Sequence, residues 1–166
     1  MNYSFDILQR KVISSINKLM DFDSCLLNEN ANERSITHKL AEYLQQEFKE
    51  WNVDCEYNRM VNGDSQDPKR MRFPVEDTKS DDTDAKTVFP DIIIHQRNER
   101  KNLLVIEVKK KFRNRINMEF DQRKLKTFTS DQFEYSFGLH IIFYVKSNFK
   151  KPPLYHWYEN GELMEI

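Results

Sequence analysis

Two apolar runs dominate the middle of the chain, Val88 to His95 and Leu103 to Lys111, with the polar segment Gln96 to Asn102 between them. Both are rich in β-branched residues, so they predict two adjacent antiparallel strands. Each is apolar on both faces, which suits central strands covered from above and below rather than a half-exposed hairpin. Into this dry surface the sequence sets three ionisable residues, Asp91, Glu107 and Lys109.

Strand geometry relates the three. Side chains alternate with period two, so Glu107 and Lys109 share a face one pleat apart. A connection centred on Glu99 pairs Asp91 with Glu107, and paired side chains have Cβ atoms about 4.5–5.5 Å apart. Two carboxylates that close, and largely desolvated, need a compensating cation to stay ionised together. A hard divalent ion such as Mg²⁺, with Mn²⁺ as a substitute, takes one or two carboxylates and keeps several waters, which meets that need. The Lys109 ammonium then lies within reach of a metal-bound water or a substrate phosphate.

Pro90-Asp91 followed, after fifteen intervening residues, by Glu107-Val108-Lys109 resembles the PD-(D/E)XK nuclease superfamily, which includes many restriction endonucleases, Holliday-junction resolvases and repair nucleases. The resemblance covers roughly Asn30 to Val145. It implies an α/β fold with a restriction-endonuclease-like α-β-β-β-α-β core and a mixed central sheet. It also implies a Mg²⁺-dependent endonuclease that hydrolyses DNA phosphodiester bonds. By that resemblance Asp91 and Glu107 hold the metal, the Val108 carbonyl is a further ligand and Lys109 is catalytic. An acidic residue near the start of the first core helix often joins such a site, and Glu33 is the candidate; a helix-start acid favoured by the macrodipole is the plain alternative. A polar or basic residue on the later helix often faces the site, and Gln122 and Lys124 both qualify. Two rival classes remain: a non-catalytic nucleic-acid-binding or assembly module that kept the fold, and a structural domain in which Lys109 simply neutralises Glu107.

The rest of the chain reads as one domain around this centre. Tyr3 to Met20, with Phe5, Leu8, Val12, Ile16 and Leu19 at helical spacing, predicts an N-terminal helix that caps the core or supplies a dimer surface. A polar connector from Asp21 completes residues 1–29. In the core, 30–145, a helix is expected from Asn30 to Trp51 with Ile36, Leu40, Leu44 and Phe48 in one stripe, and Asn30 with Glu33 has the form of a capping box. Val53 to Met60 alternates as a half-buried strand, and a long polar loop occupies about 62–86. Beyond the two central strands, a helix over Met118 to Ser130 is expected to pack Phe120, Leu125 and Phe128 on the sheet. Phe137 to Val145 gives another apolar strand. Residues 150–166 read as a hairpin around Asn160-Gly161; Tyr155, Trp157 and Tyr158 there either cover a sheet edge or stack on bases.

The formal net charge of −1 conceals an uneven distribution. His95 to Lys126 carries eleven Lys/Arg against four Asp/Glu, so the basic block abuts the carboxylates as a phosphate-backbone surface would. Lys110, Lys111, Arg113 and Arg115, with Gln122 and Lys124, are the candidate nucleic-acid contacts; an ordinary solvated face is the alternative. Selectivity would come from a second copy or a partner subunit, since 166 residues leave no room for a separate recognition domain. No apolar run approaches membrane-spanning length and the N-terminus lacks a basic region followed by an apolar block, which reads as a cytoplasmic protein without a membrane partner. Cys25 and Cys55 read as reduced packing residues and the four histidines as structural.

Overall fold

The computed structural model describes residues 3–57, 89–97, 99, 101–112 and 118–165. Among them the chain forms helices α1 (Phe5–Phe22), α2 (Ser24–Asn28) and α3 (Glu33–Glu47), then strands β1 (Asn52–Cys55), β2 (Ile92–Gln96) and β3 (Lys101–Lys111). Helix α4 (Glu119–Phe128) follows, then β4 (Tyr135–Tyr144), β5 (Leu154–Glu159) and β6 (Glu162–Leu163). The six strands make one mixed sheet in chain order. Only β3 and β4 run parallel among its pairs, because α4 returns the chain to the start of the sheet between them and a parallel pair needs such a crossover. No helix among the described residues is long and apolar enough to cross a membrane.

Strand alternation divides the core between two faces. Leu104, Ile106 and Val108 of β3, with Leu139, Ile141 and Phe143 of β4, meet Leu8, Val12, Ile16 and Leu19 of α1 and Ile36, Leu40 and Leu44 of α3. The N-terminal helix is thus part of the main core. On the opposite face Ile93 and Val105 meet Leu125 and Phe128 of α4, with Phe133, Tyr135 and Tyr158. That second cluster is smaller because its face of β3 turns polar after Val105, at Glu107 and Lys109. Gly138 lets α4 settle close over this face: a Cβ there would stand 3.0 Å from Thr129 Cγ2 and 3.3 Å from Leu125 Cδ2.

Several expectations change in detail. The expected register holds where Ile92, Ile93 and Ile94 face Ile106, Val105 and Leu104, and an irregularity between Ile94 and His95 shifts it by one beyond. The helix cap is Asn32, not Asn30: its side chain accepts from Ser35 N at 2.7 Å, while Asn30 takes a turn conformation with φ 56°. Removing that cap with Asn32→Ala is expected to cost about 1 kcal/mol, read as a lower urea midpoint with unchanged slope. The connector holds α2, whose Leu27 is buried. Phe120 does not pack on the sheet; it is 41% exposed, and Asp121 and Lys124 are buried in its stead. The reason is what lies beneath α4, a polar row rather than an apolar one. Cys25 and Cys55 are exposed rather than packed.

The terminal hairpin forms as expected. Asn160 and Gly161 have φ 50° and 77°, the pair of positive values that a type I′ turn requires. Trp157 and Tyr158 are buried and Tyr155 packs on the main core, so these rings cover the sheet. The polar loop at 62–86, the end of the strand expected to reach Met60, and Arg113 and Arg115 lie outside the described residues.

Candidate active site

Strand β3 outruns β2. Their pairing ends with Ile92 opposite Ile106, whereas β3 stays paired with β4 as far as Lys111 opposite Tyr144. Past Ile106 the β3 backbone therefore has a strand on one side only, and buried amides left without a partner are costly. Carboxylates take the place of the missing strand. Val108 N donates to Asp91 Oδ2 at 2.7 Å, and Lys110 N donates to Glu33 Oε2 at 3.1 Å. Asp91 arrives from the entry to β2 and Glu33 from the first turn of α3, so the edge collects acids from two elements. A strand residue points its N–H and C=O to the same side, so the Val108 carbonyl lies on this edge too.

Glu107 projects toward α4 and is 2% exposed. Lys124 donates to its Oε2, and its Oε1 has no hydrogen-bond partner. Burial, and after it the charge of Asp91, pushes the Glu107 carboxyl well above the usual carboxylate range, with Lys124 pulling the other way. Burial raises Asp91 as well, against the Val108 amide and the charges of Lys124 and Lys109. Both acids thus hold protons more tightly than free carboxylates, because loss of solvent disfavours the charged form.

The lysines are distributed differently from the sequence expectation. Lys109 does not neutralise Glu107; it bridges to Asp121 Oδ2 at 3.1 Å, and Lys124 does the neutralising. Burial pulls the Lys109 ammonium down, but Asp121, with Glu33 and Asp91 behind it, outweighs burial and raises its pKa. Lys124 also stands 3.6 Å from Asp121 Oδ1. An acid and a base three residues apart on α4 thus both reach the row. Between the two helix candidates, Lys124 reaches the carboxylates, and Gln122 is half-buried.

Asp121 and His140 are residues that sequence reasoning missed. Asp121 is 4% exposed, and its only sequence signal is the three-residue spacing to Lys124. His140 lies opposite Glu107 across the parallel pair and opposite His156 across the next one, so the three share a row. His140 is fully buried, and neither of its ring nitrogens has a hydrogen-bond partner; its Nε2 stands 3.7 Å from Asp121 Oδ2. Burial lowers its pKa to about 4, so it is neutral at neutral pH. Nothing in the local sequence marks it, since its place follows from strand register alone.

The basic block is only partly available to a partner. Lys110 Nζ donates to Ala31 O at 2.6 Å, which ties it to the connector before α3. Lys124 is buried on Glu107 and so is not a surface contact for a nucleic-acid backbone. Lys111 remains at the strand end, its Nζ 5.5 Å from the centre of the Tyr144 ring.

The donor set is made of hard oxygens, from Asp91, Glu107 and the Val108 carbonyl, and the orphaned Glu107 Oε1 lacks a positive partner. That fits Mg²⁺, which needs only one or two carboxylates and brings its own waters. Among the described residues no three His, Cys, Asp or Glu side chains already converge in a metal-holding arrangement. No protein-family model matches this chain, and no curated protein matches it.

Proposed function

We propose that this protein is a Mg²⁺-dependent phosphodiesterase acting on nucleic acid, an endonuclease on DNA, built on the core that the PD-(D/E)XK resemblance implies. The observation that carries the proposal is Glu107: a buried carboxylate that feels the charge of Asp91 and has one oxygen unpartnered, at the point where β3 outruns β2. The element order α3-β1-β2-β3-α4-β4 supports it. So does the arrival of Glu33 at the same strand edge.

Asp91 and Glu107 would hold the ion, with the Val108 carbonyl beside them and Glu33 next along the edge. When bound, the ion supplies Lewis-acid polarisation of a phosphoryl oxygen and a lowered pKa for its water. The chain's own residues do the rest. Asp121 fixes the Lys109 ammonium and keeps it charged, so that it can orient a water and stabilise negative charge on the phosphoryl oxygens. Lys124 holds Glu107 in place from the opposite side and, before any ion arrives, substitutes for its charge. The neutral, buried His140 continues the row onto β4.

One observation favours a second reading. The pairs Lys124–Glu107 and Lys109–Asp121 are complete without a metal, as they would be in a non-catalytic nucleic-acid-binding or assembly module that kept the nuclease fold. Incubating the protein with plasmid and with single-stranded DNA, in Mg²⁺, in Mn²⁺ and in EDTA, separates the two. Nicking or linearisation abolished by EDTA is expected. Intact DNA in every arm, together with no heat of Mg²⁺ or Mn²⁺ binding by calorimetry, would leave the ion-pair module.

A further inference from the structure

The described surface exposes seven large apolar side chains. Ile7 and Phe22 belong to α1, and Leu154 and Leu163 to the terminal hairpin. The remaining three are all phenylalanines and all adjoin the site in sequence: Phe89 two residues before Asp91, Phe112 three after Lys109, and Phe120 next to Asp121. Apolar residues scattered singly over a surface call for no explanation. These three are neighbours in the chain of residues that belong to one carboxylate cluster.

These rings are interleaved with ammonium groups. Lys146 Nζ lies 4.1 Å from the Phe112 ring centre and Lys124 Nζ 5.5 Å from that of Phe120. Tyr144, opposite Lys111 across β3 and β4, has Lys111 Nζ at 5.5 Å and Lys151 Nζ at 5.6 Å. Glu107, Lys109 and Lys111 alternate along one face of β3 at about 6.6 Å per step. They form a ladder that leads from the carboxylates to the Tyr144 rung.

Lysines alone would suit any phosphate backbone, single or double. The rings discriminate. Lys124 stays paired with Glu107, but the Lys146 ammonium on the exposed Phe112 ring is weakly held and transfers readily to a phosphate oxygen, where the contact is charge-assisted. The ring face that it leaves can take a base. In a duplex the bases are stacked on one another, whereas a single strand presents phosphates and base faces together.

We propose that the substrate this site receives is single-stranded nucleic acid, its phosphates led along Lys111, Lys146 and Lys151 and its bases stacked on Phe112, Phe120 and Tyr144. The proposal deepens the phosphodiesterase reading and rests on it. It selects among substrates that the carboxylates by themselves accept equally.

The test measures fluorescence anisotropy of labelled oligothymidylate and of a blunt duplex of matched length, with the whole chain in EDTA so that nothing is cut. The wild type is expected to bind the single strand more tightly. Phe112→Leu and Phe120→Leu, which keep an apolar side chain at an exposed position, should each weaken single-strand binding by about 5- to 150-fold, the range for one lost base stack. Duplex binding, carried by lysines, should not change. Lys146→Glu should weaken both. Phe112→Trp gives a readout independent of affinity, since its fluorescence should be quenched by the single strand and not by the duplex. Circular dichroism of each variant checks the fold. Duplex binding as tight as single-strand binding, or equal losses on both probes, overturns the proposal while a Mg²⁺-dependent cut of duplex plasmid keeps the phosphodiesterase reading. Binding of neither probe, with no metal-dependent cutting of either, removes both.

Discussion

Glu107→Gln should abolish metal-dependent cleavage, by at least about 10³-fold, the several kcal/mol that charge stabilisation by a bound cation is worth. The same protein should stay folded. The isostere matters, because Glu107→Ala would strip the buried Lys124 of its hydrogen-bonded partner and leave it only Asp121 at 3.6 Å, whereas Gln still offers Lys124 an oxygen. It also removes the repulsion between the Glu107 charge and that of Asp91. These two effects act in opposite directions, so the melting temperature in EDTA should move by no more than a few degrees. Adding Mg²⁺ should raise the melting temperature of the wild type and not that of the variant, since an ion that binds only the folded site stabilises it by mass action. Asp91→Asn should behave alike, keeping an acceptor for Val108 N while losing the charge. If both variants cut DNA as fast as the wild type, the proposed metal site is wrong.

Lys124→Met should produce the largest stability loss, about 3–5 kcal/mol in metal-free buffer, because it leaves Glu107 buried with neither oxygen compensated. The deficit should depend on pH in a fixed direction. Glu107 already holds its proton more tightly folded than unfolded, and losing Lys124 strengthens that preference. The folded variant therefore binds more protons than its unfolded chain, and its stability falls as pH rises from the ordinary carboxylate value through the raised one. Near pH 5 the variant should approach the wild type, and near pH 8 it should be worst. Saturating Mg²⁺ should repair the loss at pH 8, since the ion replaces the missing charge. Lys109→Met is the contrast. Lys109 is about a third exposed, and Asp121 keeps Lys124 at 3.6 Å, so the stability cost should be small. Its effect should fall on turnover, on the order of 10²–10³-fold in a single-turnover assay. A Lys124→Met deficit that Mg²⁺ does not repair, joined to a wild type that does not cut, would mean that these lysines serve structure alone.

Much of the frame was legible in the chain. Two doubly apolar runs with a polar turn between them placed β2 and β3 at the centre of a sheet, because only strands covered on both faces can be apolar on both. Period-two alternation set Glu107 and Lys109 on one face, and centring the turn on Glu99 gave the register of Ile92 to Ile94, although the pairing stops there and Asp91 reaches the Val108 amide instead of pairing with Glu107. Asn160-Gly161 declared the last hairpin through the positive φ that both positions must adopt. The N-terminal helix showed its buried stripe at Leu8, Val12, Ile16 and Leu19. All of these are local, since each depends on residues within a strand, a turn or a few helical turns.

Which charges meet was decided elsewhere. Sequence spacing made Lys109 the natural partner of Glu107, one pleat away, yet successive side chains on a strand face stand side by side and extend away from the sheet. Lys124 comes down from α4 end-on and reaches the Glu107 carboxylate, leaving Lys109 to Asp121. His140 entered the row through parallel pairing with a strand that follows a whole crossover helix, a register no local pattern encodes. Glu33 reached Lys110 N because β2 stops short of the end of β3 and leaves amides that a carboxylate must fill. Asn32 took the cap from Asn30 because the turn at Asn30 sets where α3 can begin. The sequence determined the identities and faces of the charged residues. Their pairing was left to the tertiary structure, because a buried charge is satisfied by whatever the packed chain brings within hydrogen-bonding distance, however far away in sequence it lies.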